Sequence, residues 1–157
     1  MRMPTSIRAA LVIAVVAASA SLAAQTPATN PRFGQWKLKS ENPPPSSNIM
    51  TYEAYNGTGM KVTIDAVNAQ GVKTSWGYIT MFDGKDQDVT GRQGQTSAVT
   101  TINEKINIIV NKTNGKVTQL LINTLSADNN TINVSYLSTN AAGETRTTTA
   151  VYERIVK

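Results

Sequence analysis

Met60, Val62, Ile64 and Ala66 fall on one side of an extended chain and Lys61, Thr63 and Asp65 on the other, because successive side chains of a strand point to opposite faces. The same alternation returns at Ile106, Ile108 and Val110 against Asn107 and Asn111, and at Ile132, Val134 and Tyr136 against Asn133 and Ser135. Past Phe33 no stretch sustains the period of an amphipathic helix. Between the alternating runs stand Asn56-Gly57, Gln70-Gly71, Asp83-Gly84, Asn114-Gly115 and Ala142-Gly143, each able to supply the positive φ that tight hairpins demand. The pattern predicts about ten strands, near 34–40, 48–55, 60–68, 73–82, 86–90, 97–102, 105–111, 116–126, 131–139 and 145–155. The connections are too short for parallel crossovers, so neighbours pair antiparallel in chain order. Such a meander, with no helix to cover it, hides its edges most simply by closing on itself. The expected class is all-β, an up-and-down antiparallel β-barrel of roughly eight to ten strands, with a two-sheet sandwich as its rival.

An internal echo accompanies the strands. An offset of 72 residues lays "MKVTIDAVNAQG" (60–71) over "INVSYLSTNAAG" (132–143), matching Met60, Val62 and Ile64 with Ile132, Val134 and Tyr136. Two explanations stand side by side: related half-barrels, or two hairpins with the same turn chemistry.

The segment before Phe33 reads differently. Arg2 and Arg8 precede "AALVIAVVAASA" (9–20), and Ser21-Leu22-Ala23 follows as a small-x-small cleavage site. Positive, then apolar, then small is the order of a secretory signal peptide, here 1–23. The apolar run falls short of the roughly 20 residues that span a bilayer, so no stable membrane insertion is expected. Gln25 to Arg32, "QTPATNPR", is polar and proline-bearing, so 24–32 reads as a flexible tether to a single barrel domain at 33–157. The mature protein is expected to be exported, periplasmic or extracellular.

Composition narrows the chemistry. Of 15 basic residues the signal peptide removes Arg2 and Arg8, leaving 13 against 10 acidic, a net charge of +3. They are scattered singly, which speaks against nucleic acid as a partner. Cysteine and histidine are absent, so no disulfide holds the domain together, and Ser-His, Cys-His and zinc chemistry are excluded.

Gly34-x-Trp36 on the first strand, the run of hairpins, and Val151-Tyr152-Glu153-Arg154 on the last strand together resemble a lipocalin-like (calycin) barrel. More narrowly, "GQWKLKSENP", "TYEAYNGTGMKVTID", "FDGKDQDVTG" and "AVYER" are similar to small exported bacterial lipocalin-like proteins without an assigned activity. The resemblance implies that Trp36 packs across one end of the barrel with an arginine of the last strand on its face, making Gly34, Trp36 and Arg154 a structural plug. Strand parity agrees: if Tyr152 points inward, Arg154 does too. A cation over an indole is worth about 0.5–2 kcal/mol. The other role for Trp36 is stacking on a ligand.

Candidate chemistry is sparse. Asp83, Asp86 and Asp88 in "DGKDQD" suggest calcium only weakly, since the loop is shorter than an EF-hand and lacks its terminal glutamate; a solvated turn is the plainer account, and no metal or cofactor is expected. Glu53, Asp65 and Glu153 fall on polar strand phases, where a carboxylate is not desolvated, and "TGRQGQT" (90–96) lacks the lysine and spacing of a phosphate loop. No catalytic residue is assigned and an enzyme is not expected. What is left is the interior. The apolar phase predicts a lining of Met50, Tyr52, Val62, Ile64, Trp76, Tyr78, Phe82, Ile106, Ile108, Val134, Tyr136 and Tyr152. These side chains either surround a cavity for a small apolar or amphipathic molecule or fill the barrel completely. The first outcome makes a non-catalytic carrier or scavenger. The second favours a protein-binding module, such as an inhibitor of an extracellular hydrolase, using loops like Asn42 to Asn48.

Overall fold

A computed structural model describes residues 29–140 and 142–155. The expected signal peptide and all but the end of the tether lie outside the described residues. Ten strands form: β1 (Gly34–Leu38), β2 (Ser47–Tyr55), β3 (Gly59–Val67), β4 (Lys73–Thr80), β5 (Gln87–Asp88), β6 (Gln95–Asn103), β7 (Ile106–Thr113), β8 (Lys116–Leu125), β9 (Thr131–Thr139) and β10 (Thr145–Arg154). They make one antiparallel sheet in the order β4-β3-β2-β1-β10-β9-β8-β7-β6-β5. The first strand thus pairs with the last, Trp36 opposite Arg154 and Leu38 opposite Tyr152. Among the described residues there is no helix. The expected up-and-down barrel is what forms, and the sandwich is not.

Closure is completed by a short seam. Gly77 of β4 and Thr90, just past β5, exchange two backbone hydrogen bonds of 3.1 and 2.8 Å. Gly77 is there for space: a Cβ on it would collide with Val62 O of β3, the close backbone approach that glycine permits at a barrel bend.

The turns account for the internal echo. Asn68 Oδ1 accepts hydrogen bonds from the N–H groups of Gln70 (2.9 Å) and Val72 (3.0 Å). Asn140 Oδ1 accepts from Ala142 (3.0 Å) and Glu144 (2.9 Å). The backbone bonds repeat as well: Asn68 N to Val72 O and Gly71 N to Asn68 O have their counterparts in Asn140 N to Glu144 O and Gly143 N to Asn140 O. An asparagine side chain that copies a backbone turn fixes both hairpins in one geometry. The preceding strands put matching residues on the inner face, so the offset of 72 residues records shared turn chemistry and shared strand phase.

One end of the barrel is closed by packed side chains. Trp36 and Ile132 are fully buried, with Leu125 and Met60 nearly so; burying side chains of this kind stabilises by about 1.5–3 kcal/mol each. The guanidinium carbon of Arg154 lies 4.0 Å from the centre of the Trp36 ring, while its Nε and Nη1 donate to Asn129 O (2.8 Å) and Phe33 O (2.9 Å). Gly34 completes the group. Its φ of 124° is unfavourable for any other residue, and a Cβ there would stand 3.2 Å from Arg154 Nη1.

Arg32, assigned from sequence to the tether, belongs to this closed end. It is 2 % exposed and donates to Glu104 O (3.1 Å), Lys105 O (2.7 Å) and Asn123 O (3.2 Å). Its own carbonyl accepts the Trp36 indole N–H at 2.9 Å. Burial lowers the Arg32 guanidinium pKa, with the neighbouring Tyr52 opposing the shift. Polarity misled here, because a lone arginine beside a proline looks like solvent-facing chain until carbonyls from the distant β6–β7 turn and from β8 converge on it.

Three of the residues expected to line the interior lie elsewhere. Ile106 and Ile108 are half-buried on the outer face of β7, whose inner face carries the buried Asn107 and Ile109. Ile108 stands opposite Ile122, itself 42 % exposed. Phe82 falls past the end of β4 and takes a left-handed backbone, φ 59°. Its N–H donates to Thr80 Oγ1 (2.9 Å), which tucks the ring under the closed end beside Arg32 and Asn107. The strand parity that would have continued the inner row does not survive that turn.

Candidate functional site

Above the Trp36 plug the barrel holds a cavity of about 160 Å³. Nine of the twelve residues expected to line it do so: Met50 and Tyr52 of β2, Val62 and Ile64 of β3, Trp76 and Tyr78 of β4, Val134 and Tyr136 of β9, and Tyr152 of β10. Register brings them together. Met50, Ile64 and Trp76 are successive cross-strand partners, as are Tyr52, Val62 and Tyr78, so two inward rows run across β2, β3 and β4. Trp36, Gly34 and Arg154 do not line the cavity.

The opposite wall is different in kind. On β6, β7 and β8 the cavity is lined by Gln95, Thr96, Ser97, Asn111, Gln119 and Asn123, interspersed with Ile109 and Leu121. Three of these polar side chains are tied to one another: Ser97 Oγ donates to Asn111 Oδ1 (2.8 Å), Asn111 Nδ2 to Gln119 Oε1 (3.1 Å), and Gln119 Nε2 to Ser138 Oγ (3.0 Å). Half-buried amides lose part of their hydration, and this string gives each of them partners. Deeper, Asn123 Nδ2 donates to the Tyr52 hydroxyl at 3.2 Å.

None of the six amide and hydroxyl residues of this wall was expected from sequence to line the interior. The part of the signal that could be read is the recurrence of amides on one strand phase, Asn107 and Asn111 on β7 and Gln119 and Asn123 on β8. Their pairing could not be read: the Asn114-Gly115 turn sets Thr113 opposite Lys116 and Lys112 opposite Val117, and a one-residue irregularity between Asn111 and Lys112 then shifts the register so that Asn111 faces Gln119 and Asn107 faces Asn123.

Four phenols border the cavity, and burial pushes all of them above the ordinary tyrosine value. For Tyr52 and Tyr78 desolvation is the main cause, followed by a neighbouring tyrosine. Tyr136 and Tyr152 rise for the same first reason. They stay protonated near neutrality and serve as hydroxyl donors, not as bases. Among the described residues the one charged group of the lining is Arg92, an exposed residue at the rim whose guanidinium carbon lies 3.8 Å from the Trp76 ring centre. In the 83–88 loop, Lys112 Nζ pairs with Asp86 at 2.7 Å and Lys85 Nζ with Asp83 at 3.4 Å, so two of its carboxylates turn to separate lysines.

No protein-family model matches the chain, and no curated protein matches it. Among solved structures it is similar to crystal structures of the fluorescent protein UnaG. The wild type superposes with a TM-score of 0.55 at 15 % identity, over 78 % of this chain and 96 % of that one. One single-residue variant gives 0.57 at 15 % identity over 81 % and 98 %, and a second gives 0.54 at 16 % over 80 % and 96 %. The likeness is one of fold. It bears out the antiparallel β-barrel expected from the sequence, and at this identity it carries no residue role across.

Proposed function

We propose that the chain is an exported, non-catalytic barrel that binds a small apolar or amphipathic molecule as a carrier or scavenger. The observation that carries this reading is the cavity of about 160 Å³ between an aromatic-aliphatic wall and an amide wall. A mostly apolar hollow with a few fixed polar groups is the usual form of a small-molecule site. Export rests on the signal-peptide pattern of 1–23. The phenols are held neutral and, among the described residues, the lining has no carboxylate, which favours binding over acid-base chemistry.

Native mass spectrometry and solvent extraction of the purified mature protein test the reading: a co-purifying small molecule is expected. Uptake of an apolar fluorescent probe should fall severalfold in Tyr78→Ala and Ile109→Ala, which alter the lining, and stay unchanged in Ile108→Ala, on the outer wall. Equal effects of Ile108→Ala and Ile109→Ala, or no uptake by the wild type, would remove the cavity from the account.

A further inference from the structure

The two walls of the cavity differ in what they lack. On the amide wall, Asn111 and Gln119 each have two N–H bonds on the side-chain nitrogen. In the string from Ser97 to Ser138 each spends one of them. That count is the same whichever way the two amides are oriented, since a reversed string also uses one N–H per amide. Each therefore keeps one donor, and both residues line the hollow. The facing wall sets Met50, Ile64 and Val62 beside the Tyr52 and Tyr78 hydroxyls, of which Tyr52 is bonded to Asn123, and the bonds of Asn111 and Gln119 run to Ser97, Ser138 and each other. A purely hydrocarbon occupant would leave two donors without acceptors, which costs more than the hydrogen bonds themselves return.

Size and charge narrow the occupant further. A cavity of about 150 Å³ in another protein admits benzene, and the hollow here is about 160 Å³, enough to enclose one ring and a short substituent. Arg92 is the lining's single ionic group, and it lies at the rim on Trp76. An anion placed deep inside would meet hydroxyls and amides with no cation to offset its desolvation.

We propose that the cavity selects a neutral, single-ring molecule bearing a carbonyl-type hydrogen-bond acceptor, with the acceptor against the free N–H groups of Asn111 and Gln119 and the ring against Ile64 and Tyr78. This rests on the carrier reading above and specifies its ligand. Tyr78 lines the hollow from β4 and Asn111 and Gln119 line it from β7 and β8, so a molecule that fills the hollow meets both walls.

Three probes of matched shape test it: acetophenone, isopropylbenzene and benzoate, titrated calorimetrically into the intact mature protein. Acetophenone is expected to bind, benzoate to bind at least about tenfold more weakly, and the acetophenone to isopropylbenzene affinity ratio to fall about tenfold in Asn111→Leu/Gln119→Met, as for the loss of two neutral hydrogen bonds. A measurement on the wild type alone guards against misfolding of the variant: the carbonyl stretch of bound acetophenone should lie below its frequency in hydrocarbon solvent. An unshifted stretch, an unchanged affinity ratio in a folded variant, or benzoate binding above acetophenone each overturns the proposal. If none of the three binds but a larger apolar dye does, this inference fails and the carrier survives. Failure of every probe and dye removes both.

Discussion

Trp36 and Arg32 show how much a single side chain can hold. The indole is fully buried, its N–H is taken by Arg32 O and its face is covered by Arg154, yet it does not touch the cavity. Trp36→Ala is therefore expected to cost about 3–5 kcal/mol of stability, as large-to-small core changes do, while changing probe affinity far less; chemical denaturation beside a binding titration separates the two. Arg32→Met keeps the stem and removes the donors to three carbonyls drawn from the β6–β7 turn and β8. A loss of about 2–4 kcal/mol is expected from the acceptors left behind, with the midpoint of urea unfolding as the readout. The plug was legible because glycine, tryptophan and arginine at those spacings form a recognisable set. Arg32 was not, because its partners lie more than 70 positions away.

The ten strands were all legible as elements, with ends displaced by a residue or two, since alternation and glycine-bearing turns are local signals. Their facing was less so. β7 carries apolar residues on both sides, Ile106, Ile108 and Val110 outward and Ile109 inward, and the more hydrophobic side turned out to be the outer one. It continues into Leu120 and Ile122 of β8, the cross-strand partners of Val110 and Ile108. The amides could turn inward because neighbouring strands offered partners in register, which single-strand hydrophobicity does not report. At this scale the closing seam is the weak point. Gly77→Ala, with its Cβ driven against Val62 O, should part β4 from the 89–90 segment, giving faster hydrogen exchange at the Gly77 and Thr90 amides and a greater tendency to aggregate as the freed edge looks for a partner. Unchanged exchange at both amides would mean that the seam yields without opening.

The barrel as a whole gathers four phenols around one hollow, and this gives it an alkaline limit. All four have folded-state pKa values raised by burial, so above the ordinary tyrosine value near pH 10 the unfolded chain releases protons that the folded barrel retains. Their contribution to stability is complete below that value and is lost as pH climbs beyond it. Phenolate absorbance of the four should then appear in one cooperative step together with loss of strand signal. A gradual titration in an intact barrel would mean that water reaches these hydroxyls. The amide string and the cavity likewise exist only at this scale, since each needs side chains from at least three strands.

By itself the sequence determined the class of the molecule: period-two alternation demands strands, the Asn-Gly and Asp-Gly turns demand hairpins, and the absence of helical cover demands closure. It also identified nine cavity residues, because β2, β3, β4, β9 and β10 each have one inner face that is clearly the more apolar. Only the tertiary structure decided which way β7 faces, where Arg32 goes, and that one wall of the cavity is an amide ladder. The physical reason is that alternation states that two faces differ, whereas burial of a polar face depends on hydrogen-bond partners from other strands, and those are brought into reach only when the sheet closes.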